Sequence, residues 1–149
     1  IDDTLYHLGD WSFGGKENIR KARERIQCRN IHLIFGNHDD NIIRNKEFWG
    51  LFSSLQHVKH LHHTKGENPI FLSHFAHRVW EGSHKGYIHL YGHSHNSIPN
   101  YGRSMDVGVD VAYSMFNEYR PFSLDEILNI MNEKEIEFPD HHNNKTNVK

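Results

Sequence analysis

Four short apolar runs in this chain each end in a tight stop that carries side chains of metal-binding type. They are Leu5-Tyr6-His7-Leu8-Gly9-Asp10, Ile31-His32-Leu33-Ile34-Phe35-Gly36-Asn37-His38-Asp39, Pro69-Ile70-Phe71-Leu72-Ser73-His74 and Tyr87-Ile88-His89-Leu90-Tyr91-Gly92-His93-Ser94-His95. Apolar runs of this length, bounded by turn residues, read as buried strands. Each therefore sets Asp, Asn or His just past the carboxyl end of a strand, the edge where open α/β sheets hold their ligands. Three of the four put a Gly directly before the first such residue. Gly92 has no Cβ, so the backbone there can come close to something bound. In extended backbone, residues two apart point the same way. On that basis His93 and His95 are expected to face one side, with Ser94 leaving the space between their rings open. One His-x-His pair is a weak signal in a chain with 15 histidines. The recurrence of one construction four times is the stronger constraint, and it points to an α/β class with ligands at one sheet edge.

The segments between these runs fill in the rest. Ile19, Ala22 and Ile26 recur at spacings of three and four and predict a helix over 16–28. Its Lys16, Arg20, Lys21, Arg23 and Arg25 read as the wet side of that helix rather than a nucleic-acid face. Residues 40–55 read as helical, with Ile42, Ile43, Phe48, Leu51 and Phe52 available to bury. His57-Val58-Lys59-His60-Leu61-His62-His63 alternates and suits an edge strand with solvated histidines, because no Gly turn or carboxylate accompanies them. Residues 64–69 read as a hairpin turn. Trp11 and Phe13, in the loop after Asp10, are expected to pack over the sheet edge, with direct substrate contact as the alternative. In the loop 75–86, Arg78 either holds a phosphate oxygen through its planar fork or pairs with Glu81 on the surface. Residues 97–111 suit a turn and a hairpin. Ser123 with Glu126 makes a capping box, and Leu124, Ile127, Leu128 and Met131 mark a core-facing helix. From about Glu133 the chain turns polar and is expected to be a poorly ordered tail.

The 149 residues suit one domain. Hydrophobic residues at 36% and charged residues at 24% describe a soluble, globular chain. A net charge of −2 gives no strong field toward nucleic acid or anionic membrane. Cys28 is the lone cysteine, which excludes an internal disulfide and fits a reducing compartment, hence a cytoplasmic setting. No apolar run approaches the roughly 20 residues that span a bilayer.

Taken in order, Gly9-Asp10, Gly36-Asn37-His38-Asp39, His74 after its strand, and Gly92-His93-Ser94-His95 resemble the ordered signature of the calcineurin-like metallophosphoesterases. The segments Asp106-Val107-Gly108-Val109-Asp110-Val111 and Arg120-Pro121-Phe122-Ser123-Leu124-Asp125-Glu126-Ile127 are similar to the closing part of small bacterial and phage members. The resemblance implies a four-layer α/β/β/α sandwich over 1–133, with 134–149 as tail. The family's first motif, Asp-x-His after a first strand, has no counterpart in Ile1-Asp2-Asp3-Thr4, so that strand and motif are expected upstream of the sequence given. Asp140-His141-His142 has the right form but no buried strand leads into it.

The resemblance further implies a metal-dependent phosphoesterase acting on mono- or diesters of small molecules or nucleotides. Two divalent ions (Mn, Fe, Zn or Ni) would clamp the phosphoryl group and activate a water. Asp10, Asn37, His74 and His93 would hold one ion. Asp10 and His95 would hold the other, leaving that site incomplete without a further segment or an oligomer partner. His38 would act as general acid, with Asp39 holding its imidazole. The alternative is a non-catalytic remnant that keeps the fold and one metal site.

Overall fold

A computed structural model describes residues 3–62 and 68–141 of the chain. The turn expected over 64–69 falls mostly outside the described residues, as does the end of the tail. The first three strands, β1 (Thr4–His7), β2 (Asn30–Ile34) and β3 (Ser54–Gln56), form a parallel sheet in that order. A second sheet runs β4 (Val58–Leu61), β5 (Ile70–Ser73), β6 (Ile88–Tyr91) and β7 (Ser104–Asp106), antiparallel between β4 and β5 and parallel thereafter. The helices are α1 (Lys16–Glu24), α2 (Asp40–Arg44), α3 (Val109–Phe116) and α4 (Leu124–Asn132). The chain is α/β. No helix among the described residues is long and apolar enough to cross a membrane.

Parallel neighbours need crossover connections. Helix α1 makes the crossover from β1 to β2, and α2 with a 3-10 turn at Lys46–Leu51 makes the one from β2 to β3. Strand β2 is buried on both faces, which is why it reads as an almost unbroken apolar run. Ile31 and Leu33 pack with Trp11, Ile19, Ile42, Phe48 and Phe52. Ile34 turns the other way and joins Ile70, Leu72, Ile88, Leu90 and Met105 of the second sheet, together with Ile127, Leu128 and Met131 of α4. One core cluster thus ties both sheets and the last helix together.

The opposite face of the second sheet carries Phe71, His89 and Tyr91. His89 is fully buried, and both its nitrogens are used: Nδ1–H donates to the Phe71 carbonyl (3.1 Å) and Nε2 accepts from the His77 N–H (3.0 Å). Its ring packs among Phe71, His77 and Trp80. Burial pushes its pKa down to about 4, so the imidazole stays neutral.

Several elements differ from the sequence reading. Helix α1 ends at Glu24 rather than at 28. The expected helix over 40–55 is one short helix, a 3-10 turn and then β3, whose three residues are too few to show a period. The hairpin expected over 97–111 is absent. Strand β7 pairs parallel to β6, and Gly108 opens α3. Strand β4 is an edge strand as read, and its His60 is ion-paired to Glu81. The capping box on α4 is formed in both directions. The start of the polar segment is not loose: the Lys134 ammonium donates to the Ser104 carbonyl (2.5 Å), and Arg103 Nε donates to the Lys134 carbonyl.

The depressed pKa of His89 sets a pH dependence. Its ordinary pKa lies near 6.5, so below that the unfolded chain takes up a proton that the folded chain refuses. The stability it contributes is complete above about pH 6.5 and is lost as pH falls toward about 4. Between pH 7 and pH 5 that loss is about 2 kcal/mol. In urea unfolding at both pH values, His89→Gln should lose less stability than the wild type by about that amount. Equal losses would show that His89 does not carry the effect.

Candidate metal centre

The strand ends meet because two glycines let them. Gly9 has φ +99°, and a Cβ there would collide with His74 Nδ1 and with the backbone of Gly36. A Cβ on Gly36 would run into Asp10 Oδ1. The loops after β1 and β2 can therefore nest only with hydrogen at both positions. Asp39 then joins them. Its buried carboxylate accepts the N–H groups of Gly36 (2.8 Å) and Asp10 (2.9 Å) on Oδ2, and of Trp11 (2.8 Å) on Oδ1. Asp10 Oδ1 in turn accepts the His38 N–H (2.9 Å). Asp10 itself sits at φ +56°, a conformation a non-glycine residue keeps only where its surroundings hold it.

This framework brings four of the expected ligands together. His74 is buried, and its Nδ1 lies 2.6 Å from the Leu8 carbonyl oxygen. A carbonyl can only accept, so Nδ1 carries a proton, and in the neutral ring this leaves the Nε2 lone pair facing the cluster. That Nε2 is 3.0 Å from Asn37 Oδ1, 3.2 Å from His93 Nδ1 and 3.6 Å from Asp10 Oδ2. Among the described residues, ligand atoms of Asp10, His74 and His93 all lie within 4.8 Å of one another. Four N and O atoms of metal-ligating type thus converge on one point, and a mixed N/O set of this kind is one that Mn, Fe, Zn or Ni would accept.

His95 does not join the group. The turn that carries it is not extended: His93, His95 and Asn96 have φ of 60°, 47° and 59°. His93 faces His74, while His95 Nδ1 lies 2.7 Å from Asp110 Oδ2 in an exposed pair. The buried Asp106 pins this turn, accepting the N–H of Asn96 (3.1 Å) and of Gly108 (2.8 Å). Sequence reasoning passes over Asp106 and Asp110 because Asp106–Val111 alternates like a hairpin strand. Nor is Gly92 forced by a close approach, since an added Cβ would meet the Leu8 carbonyl oxygen at 3.4 Å.

Three further expectations change. Asp39 does not hold the His38 imidazole, because both its oxygens are taken by backbone donors. His38 is exposed, and its ring lies against Phe13 (5.1 Å between centroids). Arg78 does not pair with Glu81; its guanidinium stacks 3.8 Å from the Tyr101 ring centre. Trp11 packs in the core as expected, but Phe13 stays in solvent. His7, given no role from sequence, lies beneath the two loops. Its Nδ1 is buried with no hydrogen-bond partner, and burial lowers its pKa against the opposing pull of Asp39 and Asp10.

Comparison with known proteins adds the fold alone. No family model matches the chain, and no curated protein does. A crystal structure of a protein of unknown function from Aquifex aeolicus is similar, with a TM-score of 0.55 at 24% identity, over 86% of this chain and 76% of that one.

Asp39→Asn should be severe for a reason separate from any ligand role. The amide cannot accept all three N–H groups, and each buried donor left unmet costs about 1–3 kcal/mol. A fall in unfolding free energy of about 2–4 kcal/mol, read by urea titration without added metal, is the expected result. A change below about 0.5 kcal/mol, typical of an indifferent surface site, would contradict the clamp.

Proposed function

We propose that this chain is a metal-dependent phosphoesterase of the calcineurin-like kind, acting on phosphate mono- or diesters. The observation that carries the reading is the convergence of Asp10 Oδ2, Asn37 Oδ1 and His93 Nδ1 on His74 Nε2, a mixed N/O donor set held in place by the loops. Two sheets that share one core cluster, with α1 and α2 against the far face of the first, match the α/β/β part of the four-layer α/β/β/α sandwich that goes with it.

In this reading Asp10, Asn37, His74 and His93 hold a divalent ion. When bound, such an ion polarises a phosphoryl oxygen and lowers the pKa of water. The chain's own residues do the rest. His74 is fixed in one tautomer by the Leu8 carbonyl, which orients its ring and raises its basicity as a ligand. Asn37 contributes a neutral oxygen, so it adds no charge against the phosphate. His38 stands at the exposed mouth, its backbone tied to Asp10, and gives a proton to the leaving oxygen as general acid. Its position comes from the backbone clamp and the Phe13 ring rather than from a carboxylate partner.

One observation favours a second reading, a weakly active or inactive scaffold with a single ion. Among the described residues only one cluster of three His, Cys, Asp or Glu ligands forms.

Metal per chain decides between them when combined with turnover. After incubation with manganese and desalting, elemental analysis should give at least one ion per folded chain. His74→Ala should weaken binding by more than the roughly 10–100-fold that loss of an outer partner costs. Hydrolysis of bis(p-nitrophenyl) phosphate that requires the metal, and that His38→Gln slows by about 100-fold or more, supports the esterase. One ion without hydrolysis supports the scaffold. A folded protein that retains no ion rejects both.

A further inference from the structure

Two exposed phenylalanines lie against histidines of the candidate centre. Phe13 is 65% exposed and lies against the ring of His38 (5.1 Å). Phe75 is 48% exposed and lies against both His74 (4.8 Å) and His93 (4.7 Å). A lone exposed phenylalanine needs no explanation. These two differ from that background in sharing one setting, because each touches an imidazole of the candidate centre.

Each also stands on pinned backbone. The Asn18 side-chain amide donates to the Phe13 carbonyl (2.8 Å), and Gly14 beyond it takes φ +91° to turn the chain back. The Ser73 hydroxyl donates to the Phe75 carbonyl (2.6 Å), and the His77 N–H two residues on is held by the buried His89 (3.0 Å). The rings face solvent on ordered loops. Their neighbours Trp11 and His74, one or two residues away, are buried, so the local chain is able to turn a ring inward and does not do so here.

We infer that the phosphate ester bound at this centre carries a planar aromatic group, which Phe13 and Phe75 receive by ring-on-ring contact. The inference rests on the phosphoesterase reading and specifies its substrate class. Aromatic pairs prefer offset or edge-to-face contact and add to simple burial. Two rings already wetted at the mouth make that contact without reorganising the loops, which lowers the cost of binding. An aryl ester and a nucleotide share this chemistry, and they differ in how far the ring lies from phosphorus.

The test uses phosphonates, which bind but do not turn over, on the manganese-loaded protein by titration calorimetry. The probes are methylphosphonate, phenylphosphonate and the adenosine phosphonate in which a CH2 group replaces the 5′ ester oxygen, so that none has a P–O–C bond to hydrolyse. At least one aromatic probe should bind about tenfold more tightly than methylphosphonate. Phe13→Ala or Phe75→Ala should bring the ratio of aromatic-probe to methylphosphonate affinity within about threefold of one, and Phe→Leu at the same positions should restore little of it. Preference for phenylphosphonate would mark an aryl ester, and preference for the nucleoside compound a nucleobase. Equal affinity for all three, or an advantage that survives both Ala variants, overturns the inference while leaving the phosphoesterase reading intact. Binding of none of them by a metal-loaded protein overturns that reading and the inference together.

Discussion

The site depends on one carboxylate that never touches its contents. Asp39 accepts three backbone N–H groups, two from the loop after β1 and one from the loop after β2. Hydrogen bonds to an ionised acceptor are about twice as strong as neutral ones. They hold together two strand ends that would otherwise be separate loops. The clamp is reciprocal, because Asp10, positioned by Asp39, accepts the N–H of His38 in the second loop. With Gly9 and Gly36 leaving no room for movement between the loops, Asp10 is locked at a positive φ and its second oxygen is left facing His74. Strain of that kind costs about 1–3 kcal/mol and persists only where the surroundings over-determine it. The three donors on Asp39 are the surroundings that do so here.

The ligand positions are legible in the sequence because glycine and ligand chemistry are local signals. At Gly9 and Gly36 the glycine at the stop of an apolar run marks where two loops must nest closely, and the residue after it marks what is presented there. Asp10, Asn37, His74 and His93 come together in the fold, since each depends only on where its own strand ends. Signals that depend on the path of the chain fail. His93 and His95 would point together on extended backbone, but left-handed residues carry the turn, and nothing in its composition announces them. Asp39 stands next to His38 in sequence, which makes it look like the partner of that imidazole. A turn sends neighbours to opposite sides, and a buried carboxylate goes to the nearest unmet N–H groups. Strand β7 and helix α3 are hidden for the same reason. Alternation over Asp106–Val111 suits a strand by period, while Gly108 and the parallel pairing to β6 make it the end of one element and the start of another.

The second turn shows the clamp logic repeated with a different carboxylate. Asp106, at the end of β7, holds the Asn96 and Gly108 amides and so fixes the turn bearing His93 to the start of α3. Both turns are thus tied to a neighbouring segment by a buried Asp that accepts backbone donors. In both cases the charge is satisfied by hydrogen bonds and not by a counter-ion. That leaves Asp10 Oδ2 and the side-chain atoms of Asn37, His74 and His93 free of the clamps and gathered at one point.

The placement of His95 bears on how many ions such a centre could take, and magnitudes decide how to weigh it. His95 and Asp110 are both substantially exposed, and exposed ion pairs contribute about 0–1 kcal/mol. A metal–ligand bond competes easily with that, since a full set of four ligands on structural zinc is worth about 10–16 kcal/mol. The contact with Asp110 is therefore a resting position that a metal ion could displace, and it is no obstacle to His95 serving as a ligand. Ligand number is the stronger constraint. Asp10 and His95 supply two donors, while Asp10, Asn37, His74 and His93 supply four at distances already set by the fold. In the metal reading, the four-donor point would bind an ion more tightly than the two-donor one, and a second ion would depend on donors beyond Asp10 and His95.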